Sequence, residues 1–209
     1  MNKEIEIEKE GWLEEIFEIK ERSRTYNHIR KPTAFYGSSS IRLWDTMEHD
    51  LHPVSAVNLG FGGSSYFWCD HFFEEVFEFV DPSKVVLYAG DNDLGNAVPE
   101  AEILRSVDSL LMKIERKYGF IPVAIISVKP SPDRYHLTEK IISLNRHLSE
   151  LIHSRKNGSF IDIYSAMLHT DGALRPELYI EDGLHINSMG YEIWKEVIGH
   201  HLVDFIRTP

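Results

Sequence analysis

Three consecutive serines, Ser38, Ser39 and Ser40, follow a short apolar run near the start of the chain. The run at residues 33–36 has the composition of a buried strand. Gly37 ends it, and an apolar periodicity typical of a helix follows the serines. A strand that breaks into a helix exposes a side chain at the carboxyl edge of a sheet, where open α/β folds bind ligands. A serine there could attack a carbonyl carbon if a histidine accepted its proton. Taken alone, the serines could also act only as helix caps.

His185 is the histidine, of eleven in the sequence, whose surroundings best suit such a base. It lies in a glycine-containing loop directly before a predicted helix. Asp182, three residues earlier, could bind the second imidazole nitrogen and stabilise the imidazolium. Taken alone, His185 could also be an ordinary surface histidine beside a helix.

Acyl transfer also needs N–H donors for the negative charge that develops on the carbonyl oxygen. The backbone N–H groups of Ser39 and Gly63 and the side-chain amide of Asn92 could supply them. The glycines around Gly63 could instead only permit a tight turn. Asn92 could be a turn residue, or could bind Mg²⁺ or Ca²⁺ together with Asp91 and Asp93.

Five predicted strands alternate with predicted helices. The strands cover residues 33–36, 55–59, 84–88, 123–127 and 160–164, and the helices cover approximately 3–24, 41–51, 66–80, 99–118, 137–154 and 188–205. This alternation predicts an α/β fold with a five-stranded, mostly parallel sheet covered on both faces. We expect one domain over 1–209, with 1–28 as an added N-terminal helical extension. The carboxyl ends of parallel strands share one edge, so the turns after them form one site.

Two apolar stretches are predicted to pack rather than to do chemistry. The first helix carries a stripe at Ile5, Trp12, Leu13, Ile16, Phe17 and Ile19. The aromatic stretch from Tyr66 to Phe77 is predicted to be helix core, and its Cys69 to be a buried, inert thiol.

The formal net charge of −11 makes nucleic acids and anionic membranes poor partners. A single cysteine excludes an internal disulfide and a cysteine-based metal cluster. The N-terminus lacks the apolar segment of a secretion signal, and no window has the roughly 18 apolar residues that span a bilayer. We therefore expect a cytoplasmic protein without membrane contact, which could form a homo-oligomer.

Four segments together resemble the ordered sequence blocks of the SGNH, or GDSL-like, hydrolases. They are Gly37-Ser-Ser39-Ser-Ile41, Asn58-Leu-Gly-Phe-Gly-Gly63, Gly90-Asp-Asn92-Asp93 and Asp182-Gly-Leu-His185. The resemblance implies a three-layer, flavodoxin-like fold and an esterase or acylhydrolase activity that needs no metal or cofactor. It implies that Ser39 is the nucleophile.

The same resemblance implies the other roles residue by residue. Gly63 and Asn92 match the oxyanion donors, and Asp182 and His185 match the acid and the base. Gly63 matches because the family's glycine lies five places after the asparagine. One departure is that Ser38 replaces the aspartate of the usual Gly-Asp-Ser, which leaves the hydrogen bonding of this turn undefined.

The substrate is less well defined by the sequence. Lys129 and Arg134 follow the fourth strand and could contact an anionic or polar group, as could Arg175 and Tyr179 before the histidine loop. The alternative for each is an ordinary loop side chain facing water. No long apolar lid segment is evident, which favours a small or carbohydrate-borne acyl ester.

Three other classes of protein are alternatives to this family. A non-catalytic binding module on the same fold is the alternative to an enzyme. A nucleotide-binding fingerprint fails because Ser65 occupies its third glycine position. The Gly-x-Ser-x-Gly motif of the α/β-hydrolase fold is absent from the sequence.

Overall fold

The structure, a computed structural model, describes the backbone of residues 3–206 and the side chains of residues 10–26 and 28–202. Its strands are β1 (Thr33–Gly37), β2 (Ala56–Asn58), β3 (Lys84–Tyr88), β4 (Val123–Ile126) and β5 (Gly158–Ile161). Its helices are α1 (Lys3–Thr25), α2 (Ser39–Arg42), α3 (Met47–Asp50), α4 (Tyr66–Val76), α5 (Asp91–Gly95), α6 (Glu100–Tyr118), α7 (Thr138–His153) and α8 (Ser188–Ile206).

The five strands form one sheet in the order β2-β1-β3-β4-β5, and every pairing is parallel. Successive side chains of a strand point to opposite faces. In β3, Val85 and Leu87 therefore join the core beneath α1, α4, α6 and α7, whereas Val86 and Tyr88 join the core beneath α2, α3 and α8. The predicted three-layer α/β/α fold is confirmed.

The first helix packs on the outside of the core through one face. Ile16 and Ile19 are buried and Trp12 is half-buried. The predicted stripe is wrong for Leu13 and Phe17, whose side chains are 48% and 62% exposed, because they turn away from the face that contacts α4. Ile5, also in that stripe, lies outside the described side chains.

The aromatic stretch is largely core, as predicted. Trp68, Phe72 and Phe73 are buried, and Phe67 alone of the six predicted core aromatics is exposed. Cys69 is buried, and burial raises the pKa of its thiol, which fits an unreactive side chain.

The structure differs from the predicted bounds of the fifth strand and of the helix after the serines. β5 begins at Gly158, where it pairs with Val123, and ends at Ile161 because Asp162 accepts hydrogen bonds from Ser165 and starts a turn. The periodic segment after the serines forms two short helices, α2 and α3, instead of one.

No helix in the part of the chain that the structure describes has the length and apolarity to cross a bilayer.

Candidate functional site

Ser39 is the first residue of α2, directly beyond the end of β1. Gly37 and Ser38 make the turn: a Cβ at Gly37 would lie 1.8 Å from the carbonyl oxygen of Tyr88, and the Ser38 N–H donates to that oxygen at 2.9 Å. Only glycine fits this close approach. The turn holds Ser39 at the carboxyl edge of the sheet. Its N–H, which precedes the first intrahelical bond, donates to no acceptor among the described residues.

His185 reaches Ser39 from the other end of the chain. The Nε2 atom of His185 lies 3.0 Å from Oγ of Ser39. The Nδ1 atom of His185 lies 2.6 Å from Oδ2 of Asp182. The structure thus brings together the three side chains that the sequence predicted would meet. A proton on Nδ1, bound by the carboxylate, leaves Nε2 free to accept the hydroxyl proton.

The Asp182 loop is held by its own backbone. Oδ1 of Asp182 accepts the N–H groups of Leu184 at 2.8 Å and of His185 at 2.9 Å. Desolvation alone would raise the pKa of Asp182, but the hydrogen bonds from the His185 side chain and from these two N–H groups outweigh it and lower the pKa to about 2. Asp182 is therefore a carboxylate at any ordinary pH.

The cap that fixes this loop against α8 is Asn187, the residue before the helix. Oδ1 of Asn187 accepts the N–H groups of Met189 and Gly190 at 2.9 and 3.2 Å. Nδ2 of Asn187 donates to the carbonyl oxygens of Glu177 and Tyr179. Asn187 therefore ties the start of α8 to the segment that precedes His185.

The turn after β2 is bonded to α2, the helix that begins with Ser39. Asn58 holds this turn to α2: its Nδ2 donates to the carbonyl oxygen of Ile41 at 2.6 Å, and its Oδ1 accepts the Gly60 N–H at 3.0 Å. Gly63 has φ +63°, in the left-handed region that favours glycine. Its N–H donates to no acceptor among the described residues.

Asn92 lies in α5, a five-residue helix that the sequence did not reveal. Its Nδ2 donates to the carbonyl oxygen of Ser64 at 3.1 Å, and its N–H donates to Oδ1 of Asp91 at 2.9 Å. The first contact places the Asn92 amide beside the residue after Gly63. The amide has two hydrogens, so one remains for a further acceptor.

The two aspartates around Asn92 point to different partners. Asp91 binds Lys129, with Nζ and Oδ2 2.9 Å apart, while the carboxylate of Asp93 accepts the Tyr66 N–H at 3.1 and 3.2 Å. No group of three or more histidine, cysteine, aspartate or glutamate side chains in the described part of the chain is arranged to hold a metal ion.

The pKa values of these aspartates move in opposite directions. Burial raises the pKa of Asp93 to about 7, and the nearby Asp91 adds to the effect. Burial alone would also raise the pKa of Asp91, but the Lys129 ammonium and the Asn92 N–H lower it.

The structure contradicts the expectation that Lys129 contacts the substrate. Its side chain is 1% exposed and is paired with Asp91. A charged loop residue usually faces water, but this one is drawn inward because Asp91 is itself buried. Tyr179 is also buried, and its hydroxyl donates to the carbonyl oxygen of Pro130. Arg175 is paired with Glu177 at 3.0 Å.

Arg134 lies at the edge of the site. Its Nη1 binds Oδ2 of Asp133, and its guanidinium packs on Gly95, where a Cβ would lie 2.9 Å from Nη2. The side chain is half-buried, and its Nε has no hydrogen-bond partner among the described residues. The Asp133 N–H donates to the carbonyl oxygen of Gly183, so this loop contacts the histidine loop.

A pocket of about 330 Å³ opens beside Gly63. It is lined by Gly63, Ser65, Phe67, Trp68, Asp93, Asn96, Val98, Glu102 and Ser106. Its volume is at the lower end of the range for small-molecule sites. Its walls combine aromatic and aliphatic surface with hydroxyl, amide and carboxyl groups.

The sequence around this site matches one known family. Residues 32–193 match the model of the GDSL-like Lipase/Acylhydrolase family. The matched segment contains the serine turn, the turn after β2, α5 and the histidine loop. Among curated proteins, no relative matches this sequence.

Several solved structures share the fold at low sequence identity. A candidate platelet activating factor from Streptococcus pneumonia has a TM-score of 0.79 at 23% identity, covering 95% of this chain and 97% of that chain. A GDSL-like lipase from Bacteroides thetaiotaomicron has a TM-score of 0.72 at 24% identity, covering 88% and 97%. An acetyl xylan esterase from Geobacillus stearothermophilus has a TM-score of 0.65 at 13% identity, covering 83% and 97%.

Proposed function

The chain belongs to the GDSL-like Lipase/Acylhydrolase family, whose general activity is ester hydrolysis, and we propose that it acts through an acyl-enzyme on Ser39. The single observation that carries the proposal is the geometry of His185. One ring nitrogen lies 3.0 Å from Oγ of Ser39 and the other 2.6 Å from Asp182. A nucleophile, a base and an orienting carboxylate within hydrogen-bond reach are what acyl transfer by serine requires.

In the first half-reaction, Oγ of Ser39 attacks the ester carbonyl carbon while Nε2 of His185 takes the hydroxyl proton. The carbonyl oxygen becomes an oxyanion, and the imidazolium is stabilised by the Asp182 carboxylate. The bond to the alcohol then breaks, and His185 returns the proton to the leaving oxygen. In the second half-reaction, His185 takes a proton from water, the hydroxide attacks the acyl carbon, and the acid leaves as Ser39 regains its proton.

Three N–H donors serve the oxyanion in this proposal: the backbone N–H groups of Ser39 and Gly63 and the side-chain amide of Asn92. The two backbone groups have no protein acceptor among the described residues, and the amide retains one hydrogen beyond its bond to Ser64. Donors that are held in place before the reaction cost no reorganisation when the charge develops.

For the substrate, we propose a small or carbohydrate-borne acyl ester with an uncharged group in the pocket beside Gly63. An anionic group would meet Glu102 there and, where Asp93 is ionised, Asp93 as well. One structure that shares the fold is an acetyl xylan esterase, which accords with this substrate class. Arg134, whose side chain is partly exposed, is proposed to meet a polar part of the substrate outside this pocket.

Ser39→Ala tests the proposal against a panel of esters that differ in acyl length and alcohol. We expect turnover to fall to the buffer rate while the circular dichroism spectrum is unchanged. Ser38→Ala and Ser40→Ala, which alter the two buried neighbours, are the matched controls and should retain activity. Unchanged turnover in Ser39→Ala would refute the mechanism. A wild-type protein that binds esters without hydrolysing any would indicate a binding module.

A further inference from the structure

In the turn between β2 and α4, four consecutive N–H groups differ in whether they have a protein acceptor. The Gly60 N–H donates to Asn58, the Phe61 N–H to the carbonyl oxygen of Gly37 at 2.9 Å, and the Gly62 N–H to Oε1 of Glu15 at 2.7 Å. The next N–H, that of Gly63, has no acceptor among the described residues. Three consecutive N–H groups are therefore tied to the protein, and the fourth is left for a ligand.

The acceptor for Gly62 comes from outside the segment that matches the family. Glu15 belongs to α1, whereas the match begins at residue 32. Oε1 of Glu15 also lies 3.3 Å from Nε of Arg42, which is three residues after Ser39 in α2. Glu15 thus joins the helix that carries Ser39 to the turn that carries Gly63.

The opposite charges of Glu15 and Arg42 offset each other near the proposed oxyanion. A lone carboxylate beside the turn would repel the developing charge, but the Arg42 guanidinium offsets it. Both side chains are partly exposed, 44% for Arg42 and 27% for Glu15. Ion pairs with this exposure contribute little to stability.

The Trp12 side chain, one turn before Glu15, covers the outer face of Gly63. A Cβ built at Gly63 would lie 3.0 Å from Cη2 of Trp12. The indole also packs edge-on against Phe61, with ring centroids 5.6 Å apart. The indole therefore limits the space into which the turn could move, and α1 contacts the turn at three consecutive residues, Phe61, Gly62 and Gly63.

We propose that Glu15 is a positioning residue for the reaction: it fixes the Phe61–Gly62 peptide and thereby orients the next peptide so that the Gly63 N–H faces the oxyanion. The inference rests on the proposed function, because it needs Gly63 to be an oxyanion donor. Loss of the Glu15 acceptor lets the backbone of residues 61–63 rotate, and a donor that is misplaced by a fraction of an ångström stabilises the transition state less.

Steady-state kinetics on one ester tests this role with three substitutions at Glu15. Glu15→Ala removes the acceptor, and Glu15→Asp keeps the charge but is too short to reach Gly62. We expect kcat to fall about 10-fold in both, less than the roughly 10²–10³-fold loss that follows removal of a donor, with KM nearly unchanged. Glu15→Gln keeps an acceptor oxygen without the charge and should stay within about threefold of wild type.

Two further measurements separate positioning from a structural effect. Glu14→Ala, at an exposed position one residue earlier in α1, is the matched control and should have wild-type kinetics and melting temperature. The inhibition constant of phenylboronic acid, whose serine adduct places an oxygen in the oxyanion position, should rise about 10-fold in Glu15→Ala and Glu15→Asp, in proportion to the loss of transition-state stabilisation.

Wild-type kcat in Glu15→Ala, a change confined to KM, or a Glu15→Gln variant as slow as Glu15→Ala would overturn the inference. Each of these results is compared with Ser39→Ala. If Ser39→Ala is inactive and Glu15→Ala is not impaired, only the role of Glu15 fails. If Ser39→Ala remains active, the proposed function itself fails.

Discussion

The imidazole of His185 and the hydroxyl of Ser39 are 3.0 Å apart although 146 positions separate them in the sequence. The sheet explains the contact. Ser39 follows β1, the second of the five strands in the sheet, and the segment after β5 returns across the same edge before α8 begins. Tyr191 holds α8 to the segment after β1. Its hydroxyl donates to the carbonyl oxygen of Ser40 at 3.0 Å, and its ring stacks on Trp44.

The Asp182→Asn variant tests the carboxylate beside the imidazole. An amide there cannot stabilise the imidazolium and favours the wrong tautomer, so we expect kcat to fall by up to roughly 10⁴-fold. Because the pKa of Asp182 is lowered to about 2, the wild-type pH–rate profile should contain no contribution from Asp182 above about pH 4. A variant within about threefold of the wild-type kcat would contradict the role.

The Asn92→Ala variant tests the side-chain oxyanion donor. Loss of one donor should lower kcat by roughly 10²–10³-fold with little change in KM. Asn92→Asp, which replaces the donor by an acceptor and adds a negative charge, should be slower still. An Asn92→Asp variant faster than Asn92→Ala would show that the amide does not face a developing negative charge.

Part of this site could be predicted from the sequence because its pieces are local. A strand that ends at a glycine, an aspartate three residues before a histidine, and the order of four turns along the chain are all visible in the residues. Alternation of strands and helices then places those turns on one edge. These features make Ser39, Asp182 and His185 candidates without any knowledge of distant contacts, and the family resemblance assigns their roles.

Other parts depend on partners that are remote in sequence. Lys129 is buried and paired with Asp91, which lies 38 positions earlier and is buried as well. Glu15 meets Gly62 across 47 positions, and no local pattern in α1 distinguishes Glu15 from its exposed neighbour Glu14. The helix α5 has five residues, too few for a hydrophobic period.

Asp93 should make the stability of the protein depend on pH. Its pKa is about 7 in the folded chain against 3.8 ordinarily. Between these values the folded state holds a proton that the unfolded state has released, so the stability contributed by Asp93 is lost as the pH rises through this window. In Asp93→Asn, the melting temperature should therefore fall less between about pH 5 and pH 8 than in the wild type.

Asp171→Asn, at an exposed turn, is the control for Asp93→Asn and should follow the wild-type curve. Differential scanning calorimetry at several values between about pH 5 and pH 8 measures these melting temperatures. Parallel curves for Asp93→Asn and the wild type would mean that Asp93 titrates normally.

Val98→Phe tests the pocket beside Gly63. The larger ring should occupy part of the 330 Å³ and lower kcat/KM for bulky esters about 10-fold more than for the smallest one. Val54→Phe is a matched control, because Val54 is also half-buried and lines a separate pocket of about 320 Å³ between residues 50–54 and 195–200. Equal selectivity in both variants would exclude this pocket from substrate binding.

Covalent labelling with diisopropyl fluorophosphate, followed by peptide mass spectrometry, tests the central claim most directly, because the reagent requires a serine activated by a neighbouring base. We predict one phosphoryl adduct per chain, on Ser39, with matching loss of ester hydrolysis. The adduct should be absent in Ser39→Ala and strongly slowed in His185→Gln. Stoichiometric labelling at another serine, or full hydrolysis in a protein that resists the reagent, would contradict the account.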